Sequence, residues 1–372
     1  MAKFKYFVDL RKENVKVNSK KVNGILELIN AGVPTVPDPW VMRSELYKYF
    51  LKNKKLPEDF LKELNQFLGM LKKNDKTLSY RPSVYSPTET GLDLYAKNKV
   101  NVVDFEEVRD AVITSFNTII RAVKSPKKIE FSALMQTFYD SNRCGLLHTT
   151  NNEGNIYIEA IFGQHTNLLT REGAEYDTYE VDKNSLRTVN RNIAKKTKTL
   201  VKSKSGLVHR KLSENESVKP VLNNNQINEL AGYALKLEKA YGPQEVEWAV
   251  LTSGETIIQG TRRLEIEKFH MDAKIKTIYP GDVEGSVAIA KNSEDLKNTE
   301  GKILVTDNLN VDFIMKAITK QRPVGVILTK GSIMSHAATV LREMKIPSFL
   351  IENLKIKNKE KIKLERGHVK KI

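Results

Sequence analysis

The sequence is poorest in cysteine and tryptophan, with one cysteine, Cys144, and two tryptophans in 372 residues. A single thiol excludes an internal disulfide and suits a reducing compartment. No uncharged run is long enough to span a bilayer, and the opening MAKFKYFVDLRKENVKV lacks the apolar core of a secretory signal. These absences lead to the expectation of a cytoplasmic protein with no membrane partner. There is no internal repeat and no low-complexity block.

Basic residues are plentiful: 61 Lys and Arg against 45 Asp and Glu, a formal net charge of +16. Such a balance suits anionic partners, whether nucleotides, phosphorylated metabolites or nucleic acid. One richer stretch, RNIAKKTKTLVKSKSGLVHRK at Arg191–Lys211, lacks the interleaved aromatics that stack bases, so a solvated loop or hairpin face is favoured over a polynucleotide track.

The length accommodates two or three cores, and the pattern divides into three regions. Residues 1–130 are mainly helical. DFLKELNQFLGMLKK (59–73) puts Phe60, Leu64, Phe67, Leu68 and Leu71 on one helical face. GILELINAG (24–32) and FEEVRDAVITSFNTIIRAV (105–123) are further amphipathic helices. In residues 131–262, FSALMQTFY, CGLLHTT, NIYIEAIFG and EYDTYEV have the look of antiparallel strands between Asn/Gly turns. The helix INELAGYALKLEKAYG and the strand pair EVEWAVLTSGETIIQGTR, turning at Ser253-Gly254, complete the region. A charged connector, 263–279, leads to residues 280–372, where SVAIA, KILVTD, VDFIMKAITK, VGVIL and PSFLI alternate strand and helix in the manner of a small α/β domain.

Within that last region lies GSIMSHAATVLREMKIPSFL. Gly331, Ser332 and Ser335 are turn and N-cap residue types, AATVLREMK is a good helix opening, and Pro347 ends the segment. His336 is therefore expected at a helix N-terminus, where free N–H groups and the helix dipole favour an anion. On this local pattern alone, a capping or surface histidine is the simpler reading.

The segment closely resembles the phosphohistidine swivelling domain of phosphoenolpyruvate synthase, pyruvate phosphate dikinase and rifampicin phosphotransferase, whose pattern runs GG-x-x-SHAA-x-x-ARE-x-x-IP. Gly331-Ser332 takes the glycine pair, Ser335 to Ala338 the core, Arg342-Glu343 and Ile346-Pro347 the remainder. The resemblance implies that His336 is phosphorylated. The first two regions resemble the ATP-grasp nucleotide-binding module of the same enzymes. The implied fold class is thus an α+β ATP-grasp module of two subdomains, 1–130 and 131–262, followed by the connector and a small α/β swivelling domain. The implied ligands are ATP and Mg²⁺. SKKVNGILELINAGVPTVPDPWVM is similar to the opening that supplies a phosphate-binding lysine, here Lys21. LSYRPSVYSPTETG resembles an arginine-bearing segment, giving Arg81 as a triphosphate ligand, with Pro82 replacing a serine and a shortened loop to Gly91. ALMQTFYDSNRCGLLHTTN is similar to the adenine-holding hinge, with Gln136 on the base. PQEVEWAVLTSGETIIQGTRR resembles the metal-binding strand pair, giving Glu247 and Gln259 as metal ligands and Arg262 or Arg263 as the phosphate arginine.

These residue types suit the chemistry. A triphosphate carries about four negative charges that must be neutralised before a nucleophile approaches, and Lys, Arg and a carboxylate-held Mg²⁺ do that. An imidazole, with an ordinary pKa near about 6.5, is mostly an uncharged nucleophile at neutral pH. The favoured reading is transfer of the β-phosphoryl group of Mg·ATP to His336 with release of AMP and phosphate, then onward transfer. The relatives' acceptor-binding domain has no counterpart in the sequence, so the acceptor is expected to be a small molecule or to be held by a separate protein. Two alternatives stand beside this: a nucleotide-binding interaction module whose catalysis has lapsed, and transfer to a nucleic-acid or nucleotide acceptor.

Overall fold

The N-terminal part builds one antiparallel sheet and the helices that cover it. In the computed structural model, residues 4–13, 15, 17–89, 91–96, 98–151, 153–164, 175–203, 206–264, 275–333, 335–352, 354–365 and 368–372 are described. Strands β1 (Phe7–Asp9), β2 (Trp40–Met42), β3 (Leu78–Tyr85), β4 (Lys99–Val102) and β5 (Glu130–Thr137) lie in the order β1-β2-β5-β3-β4. All four pairings are antiparallel. Helices α1 (Lys20–Asn30), α2 (Glu45–Asn53), α3 (Glu58–Lys73) and α4 (Phe105–Ala122) accompany it. Helix α3 buries Phe60, Leu64, Phe67, Leu68 and Leu71, the face its 3.6-residue spacing predicts. Those side chains share a core with Phe7, Tyr47, Phe116 and Phe131. Phe116 meets Phe131 edge-on, with ring centroids 4.7 Å apart, an arrangement the aromatic quadrupoles favour.

The sequence reading assigns FSALMQTFY to the second region. Instead β5 is hydrogen-bonded on both sides, to β2 and β3, and is buried along almost its whole length. This strand therefore belongs to the first sheet. The chain forms two compact units, one of Met1–Asp140 with Val246–Arg262 and one of Ser141–Glu245 with Arg263–Ile372.

Strands β6 (Ser141–His148), β7 (Ile156–Phe162), β8 (Asp177–Val181) and β9 (Thr188–Asn192) follow as an antiparallel meander. The basic stretch then folds as a hairpin of β10 (Lys198–Ser203) and β11 (Gly206–Lys211). Helices α5 (Glu214–Ser217) and α6 (Asn224–Tyr241) each open with a capping box. The hairpin β12 (Gln244–Leu251) and β13 (Thr256–Arg263) turns through Gly254, whose φ of +92° is open to glycine at little cost.

The C-terminal sheet has the order β14-β18-β17-β16-β15-β19-β20. Its centre is parallel: β15 (Val283–Ile289), β16 (Ile303–Thr306), β17 (Gly325–Leu328) and β18 (Ser348–Ile351). Helix α7 (Val311–Lys316) connects β16 to β17, and α8 (His336–Glu343) connects β17 to β18. Antiparallel strands β14 (Ile275–Tyr279), β19 (Lys361–Glu365) and β20 (His368–Lys371) extend both edges. Ile275–Tyr279, read from sequence as part of the connector, is thus a strand, with Ile275 in the core of this sheet, Lys276 exposed, and a register irregularity between Thr277 and Tyr279. The connector residues 265–274 lie outside the described residues. Among the described residues no helix is long and apolar enough to cross a membrane.

Helix α1 is seated on β13 backbone to backbone. A Cβ added at Gly24 would overlap the Thr261 carbonyl oxygen, and the loop after α1 is pinned where Ile258 N–H donates to Pro34 O and Thr35 Oγ1 donates to Ile258 O at 2.7 Å. Helix propensity alone makes Gly24→Ala stabilising by up to about 1 kcal/mol. The close approach reverses the sign: the variant is expected to lose about 1–3 kcal/mol, read as a lower urea midpoint at unchanged slope.

Candidate functional site

Apart from the alternative Arg263, the residues expected to hold a nucleotide lie in the first unit. Lys21, in the first turn of α1, puts Nζ 3.1 Å from Asp93 Oδ2 and also donates to the Pro82 carbonyl. Asp93 sits in a short 3₁₀ turn, Leu92–Tyr95, that Gly91 opens with a φ of +70°. Its other oxygen accepts the Val84 N–H. On the same strand β3, Arg81 reaches Glu247 on β12, Nη2 to Oε2 at 3.0 Å, both side chains being half-buried. Gly260 on β13 keeps the space beside that carboxylate open, since a Cβ there would stand 3.6 Å from Glu247 Oε2. The structure thus joins Lys21, the Gly91 turn, Arg81 and Glu247 through consecutive residues 81 and 82 of one strand.

Gln136 pairs with Ser79 on β3, two residues from Arg81, and is buried. Its Oε1 has no hydrogen-bond partner among the described residues. A buried amide oxygen left without a donor carries a desolvation cost that a ligand N–H would relieve. Gln259 and Arg262 follow on β13, both half-buried, whereas Arg263 is exposed. Glu247 and the amide oxygen of Gln259 make a hard oxygen set of the kind Mg²⁺ accepts, the shell being completed by phosphate and water.

Asp93 escapes a reading of the sequence for phosphate ligands, because a carboxylate is the wrong sign for one. It is the counter-ion of the lysine, and only the turn at Gly91 brings it there.

The second unit carries His336. Ser335 caps α8, its side chain accepting from Ala338 N–H, and His336 is the first helical residue, half-buried. The expected helix N-terminus is present. It follows the carboxyl end of parallel strand β17, the edge of an open α/β sheet where ligands characteristically bind. Gly331 has a φ of +99°, and any side chain on it would run into Leu309.

Around this loop lie two buried carboxylates that the sequence reading passes over. Glu159 on β7 is 1% exposed. It accepts from Ser332 Oγ with both oxygens, Oε1 at 2.6 Å, and from the Tyr157 hydroxyl at 3.2 Å. Glu245 on β12 accepts from Arg342 Nη2 at 2.7 Å and lies 3.2 Å from His148 Nε2. Arg342 Nη1 also donates to Ile333 O at 2.5 Å. Burial pushes Glu159 from the usual 4.5 up to about 7, against the hydroxyl donors and Lys276, which pull it down, while Glu245 adds to the rise. One signal was available: NIYIEAIFG places a single carboxylate in an otherwise apolar strand.

The basic stretch is less free than its composition suggests. Lys196 is buried, 2.5 Å from Asp177. Arg210 pairs with Glu216 at 3.0 Å, and Arg191 donates to Asn224 at 2.8 Å.

The AMP/ATP-binding domain of pyruvate phosphate dikinase matches residues 73–282, over half of the chain, and the mobile domain of PEP-utilising enzymes matches residues 298–361. The chain therefore belongs to the pyruvate phosphate dikinase family, with an ATP-binding module followed by the mobile domain. It is 28% identical to the phosphoenolpyruvate synthase of Pyrococcus furiosus, over 92% of this chain and 50% of that protein. It is 26% identical to a probable phosphoenolpyruvate synthase of Pyrococcus abyssi, over 92% of this chain and 55% of the relative. The chain spans about half the length of these relatives. Among solved structures it overlaps D-alanyl-alanine synthetase A from Vibrio cholerae at 9% identity, over 66% of this chain and 54% of that one, with a TM-score of 0.34. The family match, not this overlap, assigns the chain. Arg81, Gly91, Gln136, Glu247, Gln259 and Arg262 fall inside the first matched stretch and His336 inside the second, while Lys21 precedes both.

Because the folded-state pKa of Glu159 lies above its unfolded value, stability tied to this group is fully present below about pH 4.5 and is lost as pH rises through about 7. Urea unfolding of the wild type and Glu159→Gln is expected to show a stability difference, wild type minus variant, that falls with rising pH across this window by up to a few kcal/mol. A difference independent of pH would contradict the burial effect.

Proposed function

We propose that the chain is an ATP-dependent phosphotransferase that carries the transferred group on His336. The observation that supports this most is the placement of His336: a partly accessible imidazole at a capped helix N-terminus, in a mobile domain that follows an ATP-binding module in one polypeptide.

In this reading ATP is the substrate. Lys21, Arg81 and Arg262 neutralise its phosphates, and Gln136 Oε1 accepts a hydrogen bond from the adenine amino group. Mg²⁺, held by Glu247 and Gln259, supplies further neutralisation of phosphate charge when bound. For that, Lys21 and Arg81 exchange their carboxylate partners for phosphate, a swap of one anion for another that leaves each cation paired throughout. The unprotonated ring nitrogen of His336 attacks the β-phosphorus. The bond from that phosphorus to the bridging oxygen of the α-phosphate breaks, AMP leaves with the oxygen, and the γ-phosphoryl group passes to water as phosphate. The N-terminal end of α8, where the helix dipole favours an anion, then stabilises the phosphoryl oxygens. Splitting the transfer through a histidine intermediate replaces one hard step with two easier ones. The acceptor is a small molecule or is held by a separate protein. A nucleic-acid acceptor is disfavoured, because Lys196, Arg210 and Arg191 of the basic stretch already have partners within the fold.

A second reading, nucleotide binding without transfer, is favoured by one observation: both expected phosphate cations are already neutralised, Lys21 by Asp93 and Arg81 by Glu247. Incubation with Mg·ATP labelled at the β-phosphorus separates the two. The phosphotransferase forms an acid-labile, base-stable phosphoenzyme, absent in His336→Ala and formed at least ~10²-fold more slowly in Glu247→Gln. Bound ATP without AMP or label would leave the second reading. If Asp93 competes with phosphate for Lys21, then Asp93→Asn, which keeps an acceptor for Val84 N–H, binds ATP several-fold more tightly by calorimetry. Unchanged or weaker binding would remove Asp93 from the site.

A further inference from the structure

The loop before His336 differs from the family pattern given above at one informative point. Where the family motif has a second glycine, this chain has Ser332, and that side chain is not idle. It is 5% exposed and its hydroxyl bridges both oxygens of Glu159. The same loop is held at three further places. Tyr176 donates its hydroxyl to Gly331 O at 3.2 Å. Ile333 packs against Leu146 and Tyr157. Arg342, in the second turn of α8, clamps the loop carbonyl of Ile333 with one guanidinium nitrogen and Glu245 with another.

Glu159 and Glu245 are not part of the mobile domain. They belong to the stretch matched by the ATP-binding family model, and Glu245 precedes Glu247 by two residues on β12. Their partners Ser332 and Arg342 lie four residues before and six after His336. On β6 and β7, Leu146 faces Glu159 and His148 faces Tyr157 across the ladder, so alternation puts these four side chains on one face of the sheet. That face is complementary to the loop: an apolar seat for Ile333 and a carboxylate, Glu159, for the Ser332 hydroxyl, while Glu245 on β12, beside His148, takes the Arg342 guanidinium.

We propose that Ser332 and Arg342, gripped by Glu159 and Glu245, are positioning residues that form a two-point latch, holding His336 in its phosphoryl-accepting posture and opening for the loaded histidine to leave. This rests on the phosphotransfer reading above. The physical ground is the asymmetry of buried hydrogen bonds. With Ser332 and Arg342 in place, both buried carboxylates are satisfied. With either removed, docking buries an under-satisfied carboxylate and costs more than exposing it to water. Without the latch, His336 is held by its tether alone, and its position is set by the chain rather than by a fixed contact.

The test compares wild type, Ser332→Ala, Arg342→Ala and the conservative variants Glu159→Gln and Arg342→Lys in the full chain. Amide hydrogen exchange over residues 156–161 and 331–343 reads docking directly and needs no catalysis. The initial rate of His336 labelling from β-labelled Mg·ATP reads positioning, and calorimetry with Mg²⁺ and the β,γ-imido analogue of ATP reads nucleotide affinity. The two alanine variants are expected to exchange at least tenfold faster in both segments and to label at least tenfold more slowly, with analogue affinity within twofold of wild type. Glu159→Gln, whose amide still accepts from Ser332, stays within threefold of wild type in both readouts, while Arg342→Lys falls between wild type and Arg342→Ala because an ammonium cannot span Glu245 and Ile333 in one plane. Unchanged exchange in both alanine variants overturns the latch, and faster exchange with an unchanged labelling rate overturns the positioning role. A wild type that takes no label would remove the phosphotransfer reading, and the exchange measurement would still decide whether the latch exists.

Discussion

A carboxylate shut away from water inside an apolar strand has to be matched by donors, and Glu159 finds them on two different segments. Tyr157 lies two residues along its own strand, and Ser332 comes from the loop that introduces His336. A charge in that position is costly unless hydrogen-bonded, so the loop cannot rest against β7 in many ways. Ser332 follows Gly331, whose left-handed conformation turns the chain toward α8, and Ser335 caps that helix at His336. Arg342 repeats the arrangement one helical turn later with Glu245. The seating of the loop before His336 is therefore largely polar, and among the described residues Ile333 adds an apolar contact.

The nucleotide side obeys a related rule. Cations that would serve a triphosphate are held by carboxylates of the protein, Lys21 by Asp93 and Arg81 by Glu247. Each pair is partly exposed, where screening by water keeps such interactions weak. Weakness suits this place, since a buried, tightly bound pair such as Lys196 with Asp177 could not yield its lysine to a ligand. The contrast separates an ion pair that organises the fold from pairs able to change partners.

Much of the architecture could be read from periodicity. The five core positions of α3, the hairpin turning at Gly254 and the alternation of strand and helix after residue 280 are direct outcomes of local pattern. The motif around His336 was legible because turn residues, a cap and a helix opening coincide within twenty residues. What escaped involved contacts distant in sequence. β5 looks like its neighbour β6 in composition, and only hydrogen bonding to β2 and β3 assigns it to the first sheet. Ile275–Tyr279 follows a charged stretch and passes for its continuation, and only pairing with β18 shows it to be an edge strand. Asp93, Glu159 and Glu245 were invisible as site residues because their roles lie in pairing with groups 72 or more residues away, beyond any local spacing rule, as in Lys21 with Asp93 and Glu159 with Ser332.

The glycine at position 24 has a wider consequence. A helix that rests on a strand through main-chain atoms has no rotamer with which to adjust its height. The stem of Lys21, one turn earlier on α1, therefore starts from a point set by peptide geometry. Changes in the size of neighbouring core side chains can loosen or tighten the domain without altering the reach of that lysine. Lys21 is thus insulated from drift in the hydrophobic interior, while the loop before His336, seated by side chains, is open to tuning by single substitutions.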